Sequence, residues 1–166
     1  MPSRHGNPLF AYHSALFWGL CIVDIVLNAS VEFADLPGQE KTDSSNSTIL
    51  IIVQVLLQIF GFINFFALLG ATFLFRSGLF SLIYRHFRAT LLIQPAYICI
   101  TTVLGAVRVS KLQSGHSLLD VWDSDGYQTL SCIQKLAAVF YYFSCIDGIE
   151  KLRHPKYYDQ DYWLFR

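Results

Sequence analysis

The stretch SSNSTILIIVQVLLQIFGFINFFALLGATFLF, Ser44–Phe75, runs for 32 residues without a formal charge. A hydrocarbon core of about 30 Å is crossed by about 20 apolar residues of helix. Helices buried in water-soluble domains seldom sustain such a run, so the stretch predicts insertion in a membrane. A second charge-free run, Ala89–Val107, spans 19 residues and reads the same way. Two further apolar segments each carry one charge: Leu9–Val31 contains Asp24, and Gly126–Ile146 contains Lys135. The expected fold class is all-α, a bundle of four transmembrane helices in a single membrane domain. Its spans fall near 9–31, 48–75, 89–108 and 126–147, followed by an aromatic tail over 148–166.

Composition agrees with that reading. Apolar residues make up 54% of the 166 and charged residues 14%, against roughly 25% charged in soluble domains. The net charge is zero, which gives no pull toward a nucleic-acid partner. Arg4 and the apolar run after it resemble a signal peptide loosely, but Asp24 interrupts the run and no small-x-small cleavage site follows. A retained first helix is expected. Cys21, Cys99, Cys132 and Cys145 all fall within spans and form no C-x-x-C pair, so they read as small packing residues.

Charge placement sets the expected topology. Positive residues flanking spans tend to stay on the cytoplasmic side. With both termini cytoplasmic, that side carries eight Lys and Arg residues and the opposite side three, Lys41, Arg108 and Lys111. Asn46 in SSNST then faces the lumen or exterior and is a candidate N-glycosylation site, crowded by the membrane. In the loop RSGLFSLIYRHFR, Leu79, Phe80, Ile83 and Phe87 can share one helical face while Arg76, Arg85, His86 and Arg88 reach outward. Two readings stand: a short interfacial helix with the arginines near lipid headgroups, or a solvated turn. The tail HPKYYDQDYWLFR is rich in Tyr and Trp, which favour the headgroup level; a protein-binding epitope is the competing view.

Lys135 is the anomaly. A charge at mid-bilayer costs about 2.5–3.5 kcal/mol on insertion scales, so the ammonium should snorkel, face water or meet an acid. Counted from the outer ends of their helices at about 1.5 Å per residue, Lys135 and Asp24 both lie roughly 12 Å deep. Asn28, Gln54, Gln58, Thr101 and Thr102 gather near that level. The expectation is an intramembrane polar layer of Asp24, Asn28, Gln54, Gln58 and Lys135, with an Asp24–Lys135 ion pair that fixes helix register. Ala67 with Ala71, and Thr101 with Gly105, have the small-x-x-x-small spacing of close helix contacts, and Pro95 is a candidate kink.

Catalytic patterns are thin. There is no H-E-x-x-H, no glycine-rich phosphate loop and no G-x-S-x-G elbow. His116 with Asp120, Asp123 and Asp125 has oxygen and nitrogen donors for a cation, but the D-x-D step reads more simply as a solvated loop. No cofactor is expected.

Three segments carry a resemblance: LFRSGLFSLIYRHFRATLL, DGYQTLSCIQKLAAVFYYF and LRHPKYYDQDYWLFR. In that order they resemble the transmembrane protein 138 family over Leu74–Arg166, most specifically in Gln134-Lys135-Leu136-Ala137-Ala138 and HPKYYDQDYW. The resemblance implies a small four-span, non-enzymatic protein of the ciliary transition zone or ciliary membrane, with transport vesicles a further location. It implies partners among membrane lipids and other multi-spanning transition-zone proteins, in homo- or hetero-oligomers that support cilium assembly and limit membrane exchange. A small channel or transporter using the polar layer is the alternative from a different class.

Overall fold

The computed structural model describes residues 8–33, 44–114, 118–123 and 125–164, without the side chains of 8, 31–33, 44–46, 118–119 and 164. Four long helices carry the fold: α1 (Pro8–Phe33), α2 (Ser44–Gly70), α4 (Phe80–Gln113) and α6 (Tyr127–Arg153). Each is long and apolar enough to cross a membrane. Short pieces connect or follow them: α3 (Phe73–Arg76), α5 (Leu118–Trp122), a 3-10 turn (Pro155–Tyr157) and α7 (Gln160–Leu164). No strand occurs among the described residues.

Which residues face inward follows one rule. The buried positions of α6 are Tyr127, Ser131, Gln134, Ala138, Tyr141, Cys145, Gly148 and Leu152, with Ser144 and Ile149 beside them. Alternating steps of four and three keep one seam on the bundle axis, the spacing of left-handed helix packing. The same steps run through Ile83, Phe87, Thr90, Gln94, Tyr97 and Thr101 of α4. In α2 they pass through Ser47, Ile51, Gln54 and Gln58, and in α1 through Phe17, Cys21 and Asp24. Near their middles the seams turn small or polar, at Ser131, Gln134, Ala138, Thr90, Gln94, Gln54, Gln58 and Asp24, whereas Leu136, Val139, Phe140 and Phe143 point outward. That inversion suits lipid as the surrounding solvent, because apolar side chains gain little there from mutual burial and close packing decides.

Backbones approach most closely between α4 and α6, α1 and α2, and α2 and α4. Two glycines permit this. A Cβ on Gly105 would collide with Ile51 Cγ2 of α2, and one on Gly148 would sit 2.8 Å from Thr90 Oγ1 of α4. Thr90 Oγ1 also donates to the Ser144 carbonyl at 2.9 Å, so hydroxyl and glycine lock α4 against α6 together. Thr101 and Gly105 lie on the buried seam, but Ala67 and Ala71 are exposed. That small-residue pair makes no interior contact because the neighbouring Leu68 and Leu69 occupy the inward face.

Helix ends depart from the expected spans for local reasons. The second helix ends at Gly70 rather than near 75. Thr72 stops it, since its hydroxyl donates to the Leu69 carbonyl and accepts from the Phe75 amide as the N-cap of α3. Gly78, at φ +71°, then turns the chain into α4, a left-handed conformation that favours glycine. The expected interfacial segment is the opening of α4 itself, continuous through Pro95 for 34 residues. At 1.5 Å per residue that is about 51 Å, well beyond the hydrocarbon thickness. Ile83 and Phe87 are buried, while Phe80 is exposed and meets Phe75 edge-on. After α6, His154 is extended before Pro155, as a residue preceding proline prefers.

The tail folds back on the bundle. Tyr157 is buried against Phe87, and His86 meets the rings of both Tyr157 and Trp163 edge-on. The Trp163 indole donates to the Lys156 carbonyl, and Tyr158 meets Phe10 edge-on. His86 is therefore half-buried under the tail rather than reaching outward. The start of α1 and the end of α6 share one end of the bundle, here termed the tail end.

Candidate functional site: a polar belt across the bundle

The polar seam residues form a connected belt. Asp24 of α1 is 2% exposed. Its Oδ1 accepts from Gln58 Nε2 at 2.8 Å and Gln54 Nε2 at 3.3 Å, and its Oδ2 accepts from the Tyr142 hydroxyl at 2.6 Å. Every described partner of this carboxylate donates to it. Gln54 and Gln58 belong to α2, Tyr142 to α6, so one carboxylate ties α1 to two helices. A glutamine pair four residues apart presents both amides on one helical face, which is why the sequence can place them at one acceptor.

Lys135 has different partners. Its Nζ donates to Asn28 Oδ1 at 2.7 Å and to the Asn28 carbonyl at 3.1 Å. Gln134 beside it donates to Asn28 Oδ1 and to the Tyr97 hydroxyl, each at 3.2 Å, and so reaches α1 and α4. The expected Asp24–Lys135 ion pair is absent among the described residues. The carboxylate sits one turn nearer the tail end, opposite Tyr142. Depths counted from assumed helix ends ignored how far each helix overruns the membrane, and one turn of slip separates the two charges.

The five residues expected in the polar layer thus split into two linked groups. Asp24, Gln54 and Gln58 form one; Asn28 and Lys135 form the other. The belt also contains Tyr142, Gln134 and Tyr97, which the sequence reading left out. Tyr142 gave no charge signal, but Gln134 occupies a seam step between Ser131 and Ala138, and that spacing was available. Tyr97 further stacks on Tyr141 at 4.4 Å between centroids. Between α1 and α6, side-chain bonds rather than close backbone approach make the joint.

The belt continues toward both ends. On the tail side, Asn64 of α2 donates to the His13 carbonyl at 2.8 Å, and its Oδ1 lies 2.6 Å from His13 Nδ1. On the other side, Arg108, expected at the outer end of the third span, lies well within α4, 1% exposed, donating to the Tyr127 hydroxyl at 3.0 Å. Asn28, Gln54, Thr101, Arg108, Gln134 and Lys135 line a cavity of about 20 Å³ together with apolar neighbours. That is space for about one water molecule.

Other candidates are placed as follows. Arg76, Arg85 and Arg88 are exposed at the tail end. Asn46 lies in the first turn of α2, with its side chain outside the described residues. Most of the acidic loop before it, and His116, also fall outside them. No cluster of metal-ligating side chains is found among the described residues. Cys21 and Cys145 are buried, but Cys99 and Cys132 are exposed on the bundle surface, because they fall off the seam steps.

A family model described as transmembrane protein 138 matches residues 47–166, extending the recognised similarity through α2 and its two belt glutamines. Transmembrane protein 138 of Mus musculus is 30% identical over 116 residues, 70% of each chain. The Danio rerio protein of that name is 32% identical over 116 residues, again 70% of each, and the Xenopus tropicalis one 29% over 119, 72% of each. No solved structure matches significantly. With four membrane-length helices and a family match over most of its length, the chain belongs to the transmembrane protein 138 family.

Proposed function

We propose that the chain is a non-enzymatic membrane subunit of the ciliary transition zone that supports cilium assembly and membrane-protein gating through helix association. The family match over residues 47–166 carries this reading. The belt supports it physically: interhelical polar contacts in bilayers are worth only about 0.6–2 kcal/mol each, and their geometry fixes which helix faces which. Apolar outer faces remain for lipids and for other multi-spanning partners, in homo- or hetero-oligomers.

Both termini are cytoplasmic in this proposal. The tail end then carries Arg76, Arg85, Arg88, Lys151, Arg153 and Lys156 on the side that positive residues favour. The three arginines lie where anionic headgroups attract them, and Asn46, on the opposite side, is the glycosylation candidate. A channel is the competing reading, favoured by the polar-lined cavity. At about 20 Å³, that cavity is too small for a continuous path.

A tagged copy in ciliated cells tests the function. Concentration at the ciliary base or on vesicles bound for it, with cilium loss on depletion, is expected. Diffuse plasma-membrane staining with normal cilia after depletion would overturn it, as would ion flux in reconstituted vesicles abolished by Lys135→Met.

A further inference from the structure

Between α1 and α6 the bundle opens at the tail end into a groove of about 200 Å³. Ser14 and Trp18 line it from α1, and Ile146, Ile149, Glu150 and Arg153 from α6. Its chemistry is graded. Ile146, Ile149 and Trp18 form an apolar floor, and Glu150 and Arg153 stand one helical turn apart toward the tail. The Glu150 carboxylate, the Arg153 guanidinium and the Trp18 indole have no polar partner among the described residues, although Asp147 and Lys151 on the same helix pair at 2.6 Å.

A carboxylate and a guanidinium facing one groove, neither neutralised by the other, complement a ligand that carries both charges. The depth fits as well. Arg153 is level with the first turns of α1, where the apolar run begins, and each turn toward Ile146 lies about 5 Å deeper. Charged groups thus meet the headgroup region while isoleucines and tryptophan meet acyl chain.

We propose that this groove binds one zwitterionic phospholipid of the ethanolamine class. Arg153 holds the phosphate through paired N–H donors. Glu150 accepts from the ammonium, and an acyl chain lies along Ile146, Ile149 and Trp18. Arg153 and Glu150 lie three residues apart, about 4.5 Å along α6, a separation that a phosphate and its ethanolamine amine can bridge. Glu150 also provides selectivity, because it repels a headgroup that has only negative charge. The inference needs membrane insertion alone and is independent of the ciliary role.

Native mass spectrometry of the full chain in detergent, titrated with phosphatidylethanolamine or phosphatidylglycerol, tests it. One bound phosphatidylethanolamine is expected, preferred about tenfold over phosphatidylglycerol, the effect of one charge-assisted contact. Arg153→Gln should weaken both lipids about tenfold. Glu150→Gln should erase the preference while leaving phosphatidylglycerol binding intact or stronger, a change that mere loss of structure would not produce. Lys111→Gln, at the far end of α4, should leave the complex as it is. A wild-type preference for phosphatidylglycerol, no one-to-one complex, or binding unaffected by both substitutions would overturn the site. So would photocrosslinking from Ser14 in native membranes that captured a protein helix instead of lipid.

Discussion

Replacing Asp24 with alanine removes the acceptor of three hydrogen bonds while leaving their donors in place. Interhelical hydrogen bonds in bilayers average about 0.6 and reach about 1.7 kcal/mol, with bonds to charged groups at the upper end. The bonds from Gln58 at 2.8 Å and Tyr142 at 2.6 Å are short, and the Gln54 bond at 3.3 Å is weaker. About 3 kcal/mol of helix association should be lost, roughly a 150-fold shift at about 1.4 kcal/mol per factor of ten. Reversible unfolding in mixed micelles, or steric trapping in bicelles, reads this directly. A double-mutant cycle of Asp24→Ala with Tyr142→Phe should show coupling of about 1.5 kcal/mol, and one with Lys135→Met less than about 0.5 kcal/mol. Larger coupling to Lys135 than to Tyr142 would refute the belt and restore a direct ion pair. Replacing acceptor and donors together, as Asp24→Leu with Gln54→Leu, Gln58→Leu and Tyr142→Phe, should cost less than Asp24→Ala alone, because no buried donor is then stranded.

Three further outcomes follow from the packing. Gly105→Ala should destabilise the bundle by about 1–3 kcal/mol through overpacking, and combining it with Ile51→Ala should recover part of that loss, measured in the same unfolding assay. Trp163→Ala should release the tail from His86 and Tyr157, seen as faster trypsin cleavage at Arg153 and Lys156; unchanged cleavage would mean the tail is held elsewhere. Burial against Phe10 and its surroundings pushes the Tyr158 phenol up to about 12. Its neutral form is favoured in the fold, so its contribution is full below the free-tyrosine value of about 10 and falls as pH rises toward 12. Absorbance titration should lose a late-ionising tyrosine in Tyr158→Phe.

The four membrane-length helices were legible because a long apolar run with at most one charge is a property of the chain alone. Helix ends were less so. Charge marks the hydrocarbon boundary, whereas Phe80–Arg88 and Arg108–Gln113 remain helical beyond it, held by the tail and by the Arg108–Tyr127 contact. The belt was half legible. Asp24, Gln54 and Gln58 share an acceptor and donors as their spacing allowed, but register between α1 and α6 depends on tilt and overrun, which no single helix encodes. The tail's attachment was hidden for a similar reason: aromatic residues serve a membrane surface and a folded-back lid equally well until a partner such as His86 is known. Arg108 was counted with the outer-side cations because its charge outweighed its place on the α4 seam.

The register between α1 and α6 is the most direct test, since the belt exists only if these helices meet as described. In a background with the four native cysteines replaced, Asn28→Cys with Lys135→Cys should cross-link readily with a short bifunctional thiol reagent in native membranes. Asp24→Cys with Lys135→Cys should cross-link poorly. The reverse preference, or no cross-link from either pair, would contradict the account.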